Sequence, residues 1–331
     1  MTRERRLTII SIIMLLAFLS LPLWGRRATM NTLTEFLYLL AIAQLWNLLA
    51  GYAGLVSVGQ QAWIGLGAYA MLVFANDLGL PLLLSVLLAG VVAAVLAYPT
   101  AKLVFRLRGG YFAIGTWVIA EVFRLLVTSS TEWLGGGLGR SLDIGRQLSS
   151  PQQRIMLIYL IAVAVSLGSV ALVYLFMRSK AGLGLTAIRD NEGAAASLGV
   201  NTDRIKMQIF IMCAFGTGLV GALIAMNQIN IIPKAMFTVN WTAFMIFIVV
   251  IGGIGTIEGP IIGTVLFFFI REYLSNFGEW SFIILGVIAV VMMLIAPQGI
   301  WGLLKERFNW EWFPIRRRIS PELLENSPQY P

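Results

Sequence analysis

Histidine is absent from all 331 residues, and cysteine occurs once, as Cys213. Without histidine there is no Ser-His-Asp triad, no imidazole metal ligand and no imidazole proton relay near neutral pH. A single cysteine excludes an intrachain disulfide and any Cys/His zinc framework. Set inside an apolar run, Cys213 reads as a small buried hydrophobe. Lysine is also scarce: Lys102, Lys180, Lys206, Lys234 and Lys305. None lies between a glycine and a Ser or Thr, so the G-x-x-x-x-G-K-[ST] phosphate loop is missing. The residues hold no catalytic or metal constellation, and the chain reads as something other than an enzyme.

Charge is equally sparse. Asp, Glu, Lys and Arg make up 12% of the chain against 58% hydrophobic residues, and mean hydropathy is +0.83. An ordinary soluble domain is far less apolar. Several runs approach the ~20 apolar residues that cross a hydrocarbon layer about 30 Å thick, and the short alternating segments of a barrel are missing. The expected fold is all-α, a polytopic transmembrane helical bundle of eight to ten membrane segments, some broken or half-length. The spans are placed at 7–24, 33–50, 55–75, 82–98, 111–127, 155–177, 207–229, 241–251, 260–270 and 281–296. The eighth and ninth are too short to cross alone at ~1.5 Å per residue. They are read as half-spans or as extending into the glycine-rich stretch between them. The first, with its basic start "MTRERR", is read as a retained span rather than a cleaved signal. A transmembrane domain over 1–304 and a polar tail over 305–331 complete the expected organisation.

The net charge of +8 belongs to topology and membrane lipid rather than to nucleic acid. With the N-terminus inside, sixteen Lys and Arg fall on the cytoplasmic side and seven outside, with Arg124 inside a span. That bias places both termini in the cytoplasm.

One cytoplasmic stretch stands out: "AIRDNEGAAASLGVN", residues 187–201. Ala194, Ala195 and Ala196 favour helix, and Asn191 or Asp190 supplies an N-cap for a helix starting near Glu192. Ala194 and Leu198 share a face, and Gly199 is a stop. Two readings of this smooth, short helix stay open on spacing alone: a plug for a partner's socket, or a surface helix in an ordinary loop.

Glu192, Ala194, Ala195 and Gly199 match the E-x-A-A-x-x-x-G core of the cytoplasmic motif in bacterial ABC importer permeases. The wider string "GLTAIRDNEGAAASLGVN" resembles the form found in the branched-chain amino acid permease family. So do "GYAGLVSVGQQAWIGLGAYA" at 51–70, "RLRGGYFAIGTWVIAEVFR" at 106–124, "GGIGTIEGPIIGT" at 252–264 and "APQGIWGLL" at 296–304. The resemblance covers about residues 35–304. It implies that 187–199 is a coupling helix seated in a groove of a cytoplasmic ATPase, with Ala187, Arg189, Asp190, Glu192, Ala194, Ala195, Leu198 and Gly199 as its contact residues. It implies a bacterial inner-membrane importer subunit working with two ATPases, a second related permease and a substrate-binding protein. ATP and magnesium would lie on the ATPases, with no cofactor in this chain. The solute would be a branched-chain or other amino acid, or urea or an amide.

Within the membrane, Gln60 and Gln61 suit either a path lining or an interhelical hydrogen bond. Gly59 and Gly65 permit close helix approach. Glu121 and Arg124, three apart on a helix, suit a structural ion pair or a guide for a zwitterion. Gly252, Gly255, Gly259 and Pro260 mark either a packing stripe or a hinge, with Glu258 at the break, placed at a turn or on the translocation path. "WLGGGLG" reads as an outer loop. A self-sufficient secondary transporter or channel is the competing reading, since broken spans occur there too. A membrane enzyme is a third, disfavoured by the missing histidines.

Overall fold

The structure, a computed structural model, describes residues 18, 20–22, 25–143, 148, 150–274, 277–278, 280–308 and 312–313. Most of the expected first span at 7–24 and most of the tail lie outside these residues. α1 (Arg27–Asn47) continues through a π-helical turn, Leu48–Tyr52. α2 (Gln61–Leu72) ends in another, Val73–Asp77. Then come α3 (Leu82–Val104), α4 (Gly110–Ser129) and a short α5 (Thr131–Leu134). After β1 (Arg140–Ser141), α6 (Pro151–Arg178) leads into α7 (Lys180–Asp190), α8 (Glu192–Ser197) and α9 (Thr202–Gln228). The chain closes with β2 (Asn230–Ile231), α10 (Pro233–Met236), α11 (Asn240–Gly252), α12 (Glu258–Leu274), α13 (Trp280–Ile295) and α14 (Gly299–Phe308).

Seven helical runs among the described residues are long and apolar enough to cross a membrane: 27–52, 82–104, 110–129, 151–178, 202–228, 233–252 and 283–308. The chain is therefore an all-α, multi-pass membrane protein. The expected short segments prove longer than their sequence pattern implied. The eighth reaches back through α10 to Pro233, and the ninth runs on to Leu274. Both lengthen away from the glycine-rich stretch, which stays non-helical at 253–257. Gly259 and Pro260 fall inside the first turn of α12, so the break precedes them. Proline is tolerated there because first-turn N–H groups have no intrahelical partner.

Caps explain several boundaries. Ser150 accepts from Gln152 N ahead of Pro151 at the start of α6, and Ser179 accepts from Gly182 N at the start of α7. Asn201 accepts from Arg204 N at 3.0 Å to open α9. Each side-chain oxygen satisfies one of the orphan N–H groups of a first turn.

α9 is the central helix, packed on α3, α2, α1 and α6. Small residues let it approach closely, as expected where lipid and side chains are equally apolar. A Cβ on Gly67 would strike the Gly218 carbonyl, and one on Gly221 would strike the Ile64 carbonyl. The expected close-packing role of Gly59 and Gly65 takes the same form: a Cβ at Gly59 would meet the Thr116 carbonyl, and one at Gly65 the Phe237 ring.

The bundle has two ends. The near end carries α7, α8 and the 253–257 break. The far end carries the "WLGGGLG" stretch, which is ordered: a 3₁₀ turn at Gly136–Leu138, then β1 paired antiparallel with β2. Arg140 reaches Asp77 at 2.6 Å and holds that carboxyl below its ordinary range through the hydrogen bond. Arg27 donates to Gln152 at 2.7 Å and Arg271 pairs with Glu35, also at this end.

Gly221→Val should lower the unfolding temperature in detergent, because overpacking a tight contact costs about 1–3 kcal/mol. Gly168→Ala, facing open space, should leave it unchanged or slightly raised.

Candidate functional site

The near end is built around an elbow. α7 and α8 meet at Asn191, whose extended backbone interrupts the helix and whose Oδ1 accepts from Ala194 N at 3.0 Å. The helix start expected near Glu192 is present, with Asn191 as its cap. Ala187, Arg189 and Asp190 belong instead to the end of α7, so the 187–199 segment is two helices rather than one. Gly199 ends the elbow at φ +83°, a conformation that side chains resist. Ala195 is buried, while Leu198 is 83% exposed and shares an exposed face with Ala194. An open groove of about 440 Å³ runs beside the elbow, walled by Leu183, Gly184, Ala187, Val200 and Ile205, with Lys180.

Two charged side chains join this elbow to the membrane body. Lys206 of α9, almost fully buried, pairs with Glu192 and lies over the Phe105 ring. Arg189 donates from Nη1 to the Gly51 carbonyl at 3.2 Å, at the end of the α1 π-turn.

Gly51 lies directly against the 253–257 break. A Cβ there would collide with Gly255 N. The break is held by two amide side chains of α1. Gln44 Nε2 donates to the Ile257 carbonyl at 2.6 Å. Asn47 donates to the Thr256 carbonyl at 2.7 Å and accepts from Gly255 N at 2.9 Å. Gly255 adopts φ +75° and Gly253 φ +133°, and α11 and α12 touch backbone to backbone at Gly252 and Gly259. Glu258, 6% exposed, accepts at one carboxylate oxygen from the backbone N–H groups of Trp312 and Phe313, at 3.1 and 2.9 Å. Arg189, Gly51, Gly252, Gly255, Gly259 and Glu258 thus converge at one place.

The remaining polar groups lie elsewhere. Gln60 and Gln61 open α2, each 1% exposed. Gln61 accepts from the Thr242 hydroxyl of α11, whereas the Gln60 amide nitrogen has no hydrogen-bond partner among the described residues. The irregular stretch before them is anchored by Trp46 Nε1 donating to the Ser57 carbonyl and Val58 N donating to Thr116 Oγ1. Glu121 and Arg124 do meet, with Arg124 Nε 2.9 Å from both carboxylate oxygens. Their side chains stay 47% and 28% exposed, midway along α4, one of the least buried crossing helices.

Gln44, Asn47 and Lys206 escaped the sequence reading. A signal existed for the first two: amides three apart in "AIAQLWNLLAG" share a helix face at membrane depth. Nothing in the sequence paired Lys206 with Glu192.

Asn47→Leu should leave Gly255 N and the Thr256 carbonyl unpaired, at about 1–3 kcal/mol per buried group. Hydrogen exchange at residues 253–257 should speed up at least tenfold, while α9 exchange stays unchanged.

Comparisons with known proteins place the chain in a family. Residues 28–297 match the family described as "Branched-chain amino acid transport system / permease component". The chain is 30% identical over 303 residues to the high-affinity branched-chain amino acid transport system permease protein LivM of Salmonella typhimurium, covering 84% of this chain and 71% of that protein. It is 29% identical over the same length to LivM of Escherichia coli K12. A more distant relative is LivH of E. coli K12, 27% identical over 168 residues, half of each chain. No solved structure matches. Family match, helical architecture and the ordered series of motifs agree, and the chain belongs to the branched-chain amino acid transport system permease family.

Proposed function

We propose that this chain is one membrane half of an ATP-driven importer for branched-chain amino acids. Its near end faces the bacterial cytoplasm, where separate ATPase subunits engage the α7–α8 elbow. The observation that carries this reading is the elbow itself. An apolar Leu198 stands exposed beside a smooth alanine face, on a motif shared with permeases that are driven from the cytoplasm. The Lys and Arg distribution supports the orientation, since Lys102, Arg106, Arg178, Lys180, Arg189, Arg204 and Lys206 all sit at or beside this end. ATP and magnesium belong to the ATPases. A soluble binding protein would deliver solute to the far end.

The partner in the membrane is a second, related permease. The relatives named LivM and LivH support a paired arrangement, and this chain aligns with both. α4 is the face we assign to that partner and to the shared path. A charged side chain at the centre of a membrane helix costs about 2.5–3.5 kcal/mol on insertion scales. Pairing reduces that cost, but an ion pair left this exposed still needs a polar or protein neighbour rather than lipid. Glu121 and Arg124 also present one charge of each sign, which complements an amino acid zwitterion. Gln60, whose amide nitrogen has no partner among the described residues, is a further candidate for the path, whereas Gln61 is occupied by Thr242. Glu258 is committed to backbone amides at the near end, so we assign it to the machinery of the break rather than to solute.

Motion has a short route in this arrangement. A push on α8 reaches α9 through Glu192–Lys206, and a push on α7 reaches α1 and the break through Arg189–Gly51. The glycine-lined contact between α11 and α12, where the backbones touch, is where that break would repack.

Leu198→Asp should weaken ATPase co-purification at least tenfold, about 1.4 kcal/mol, and abolish uptake, with the chain still inserted and folded. Solute uptake by this chain in vesicles without any ATPase would instead identify a self-sufficient transporter. A second experiment separates the two roles open to the α4 pair. Arg124→Leu should reduce uptake about tenfold or more, in line with loss of a charged contact. The double variant Glu121→Leu/Arg124→Leu should fold normally yet stay defective. Full uptake by the double variant would make the pair purely structural.

A further inference from the structure

The C-terminal stretch beyond α14 does something that the transport reading does not require. Glu258 is buried, stands directly after the 253–257 break, and pairs with no Lys or Arg among the described residues. Its carboxylate is satisfied instead by two consecutive backbone N–H groups, from Trp312 and Phe313. Hydrogen bonds to an ionised acceptor are stronger than neutral ones. A carboxylate deprived of them inside the protein must be reached by water or stay unpaired at high cost.

The two aromatic side chains extend the contact in different directions. The Trp312 ring lies 5.0 Å from that of Trp301 on α14. Trp301 is itself buried and packs over Gly253 at the start of the break. The Phe313 ring meets Tyr174 of α6 edge-on, with centroids 5.6 Å apart. α6 runs straight into Ser179 and the α7–α8 elbow. A two-residue strap therefore ties the helix that feeds the elbow to the helix that leaves the break. Arg189 to Gly51 makes the other such tie. Relative motion of elbow and break has to disturb both.

We propose that Trp312–Phe313 is a conformational latch: seated on Glu258 and Tyr174, it holds the near-end break in one state, and it must let go during each transport cycle. The latch rests on the transport reading given above. Its two states differ in who satisfies the Glu258 carboxylate, backbone N–H groups when closed and water when open. An equilibrium of that kind is switched by small differential interactions rather than by gradual bending.

The test is a reversible tether in the full assembly of this chain with its second permease and ATPases, in liposomes. Cys213, the sole native cysteine, is first replaced by alanine. Tyr174→Cys and Phe313→Cys are then introduced and bridged with a short, reducible bis-methanethiosulfonate reagent, which spans the gap that the two lost rings filled. The tethered complex should keep its ATPase subunits but lose uptake at least tenfold, and reductant should restore it. Uptake at the reduced rate in the tethered complex would overturn the latch. So would failure of the two cysteines to cross-link at all. A second variant, lacking residues 309–331, should hydrolyse ATP at least threefold faster than the intact complex in the absence of binding protein. An unchanged basal rate would count against the latch as well. Failure of the transport reading shows differently: the untethered parent chain would then recover no ATPase.

Discussion

A helix that stops inside an apolar layer leaves backbone N–H and C=O groups that lipid cannot satisfy. Two of the helices that stop at the near end, after Tyr52 and after Gly252, lead into partly buried non-helical stretches, and both depend on the same solution. Side chains of one helix supply the missing partners of another. Gln44 and Asn47 give the 255–257 backbone its hydrogen bonds. Trp46 and Thr116 do the same for 57–58. Left unmade, each of those bonds would cost about 1–3 kcal/mol, a large share of a typical folding free energy. The broken segments are therefore held in place mainly by α1, with Thr116 of α4, and α1 is nearly enclosed by the bundle.

That arrangement gives the near end its mechanical character. The elbow is exposed where it would meet a partner and anchored where it meets the membrane body. Its anchors are charged: Glu192 on Lys206, and Arg189 on a carbonyl at the end of α1. Lys206 sits almost fully buried, while the Glu192 side chain that pairs with it is half exposed. Glycines at 252, 255 and 259 allow the α11 and α12 backbones to touch, and a tight backbone contact moves between discrete packings rather than deforming smoothly.

The far end is built differently. There the chain closes with a two-residue ladder, Arg140 on Asp77, and Arg271 on Glu35. Among the described residues, nothing there resembles the near-end elbow. Between the two ends, α4 presents Glu121 and Arg124 on an open face flanked by Trp117, Val118, Val122 and Leu125. A face that is apolar except for one ion pair suits a protein neighbour with a narrow polar path better than it suits lipid alone.

Much of this could be read from the residues in order, because the responsible forces are local. Apolar runs of membrane length, the Asn191 cap and the Gly199 stop each depend on neighbours close along the chain. For the same reason the ordered strings at 51–70, 106–124, 187–199, 252–264 and 296–304 identified the family. The true lengths of the eighth and ninth helices, and the position of the break between them, followed from packing instead. A flanking proline or glycine looks the same from sequence whether it opens a helix or interrupts one. Only the tertiary structure decided which amides serve the break, where Arg189 reaches and what Glu258 holds. Those bonds join residues 213, 138 and 54 positions apart, and no local periodicity carries information over such distances. Only the folded bundle brings a donor from one helix to a backbone that another has left open.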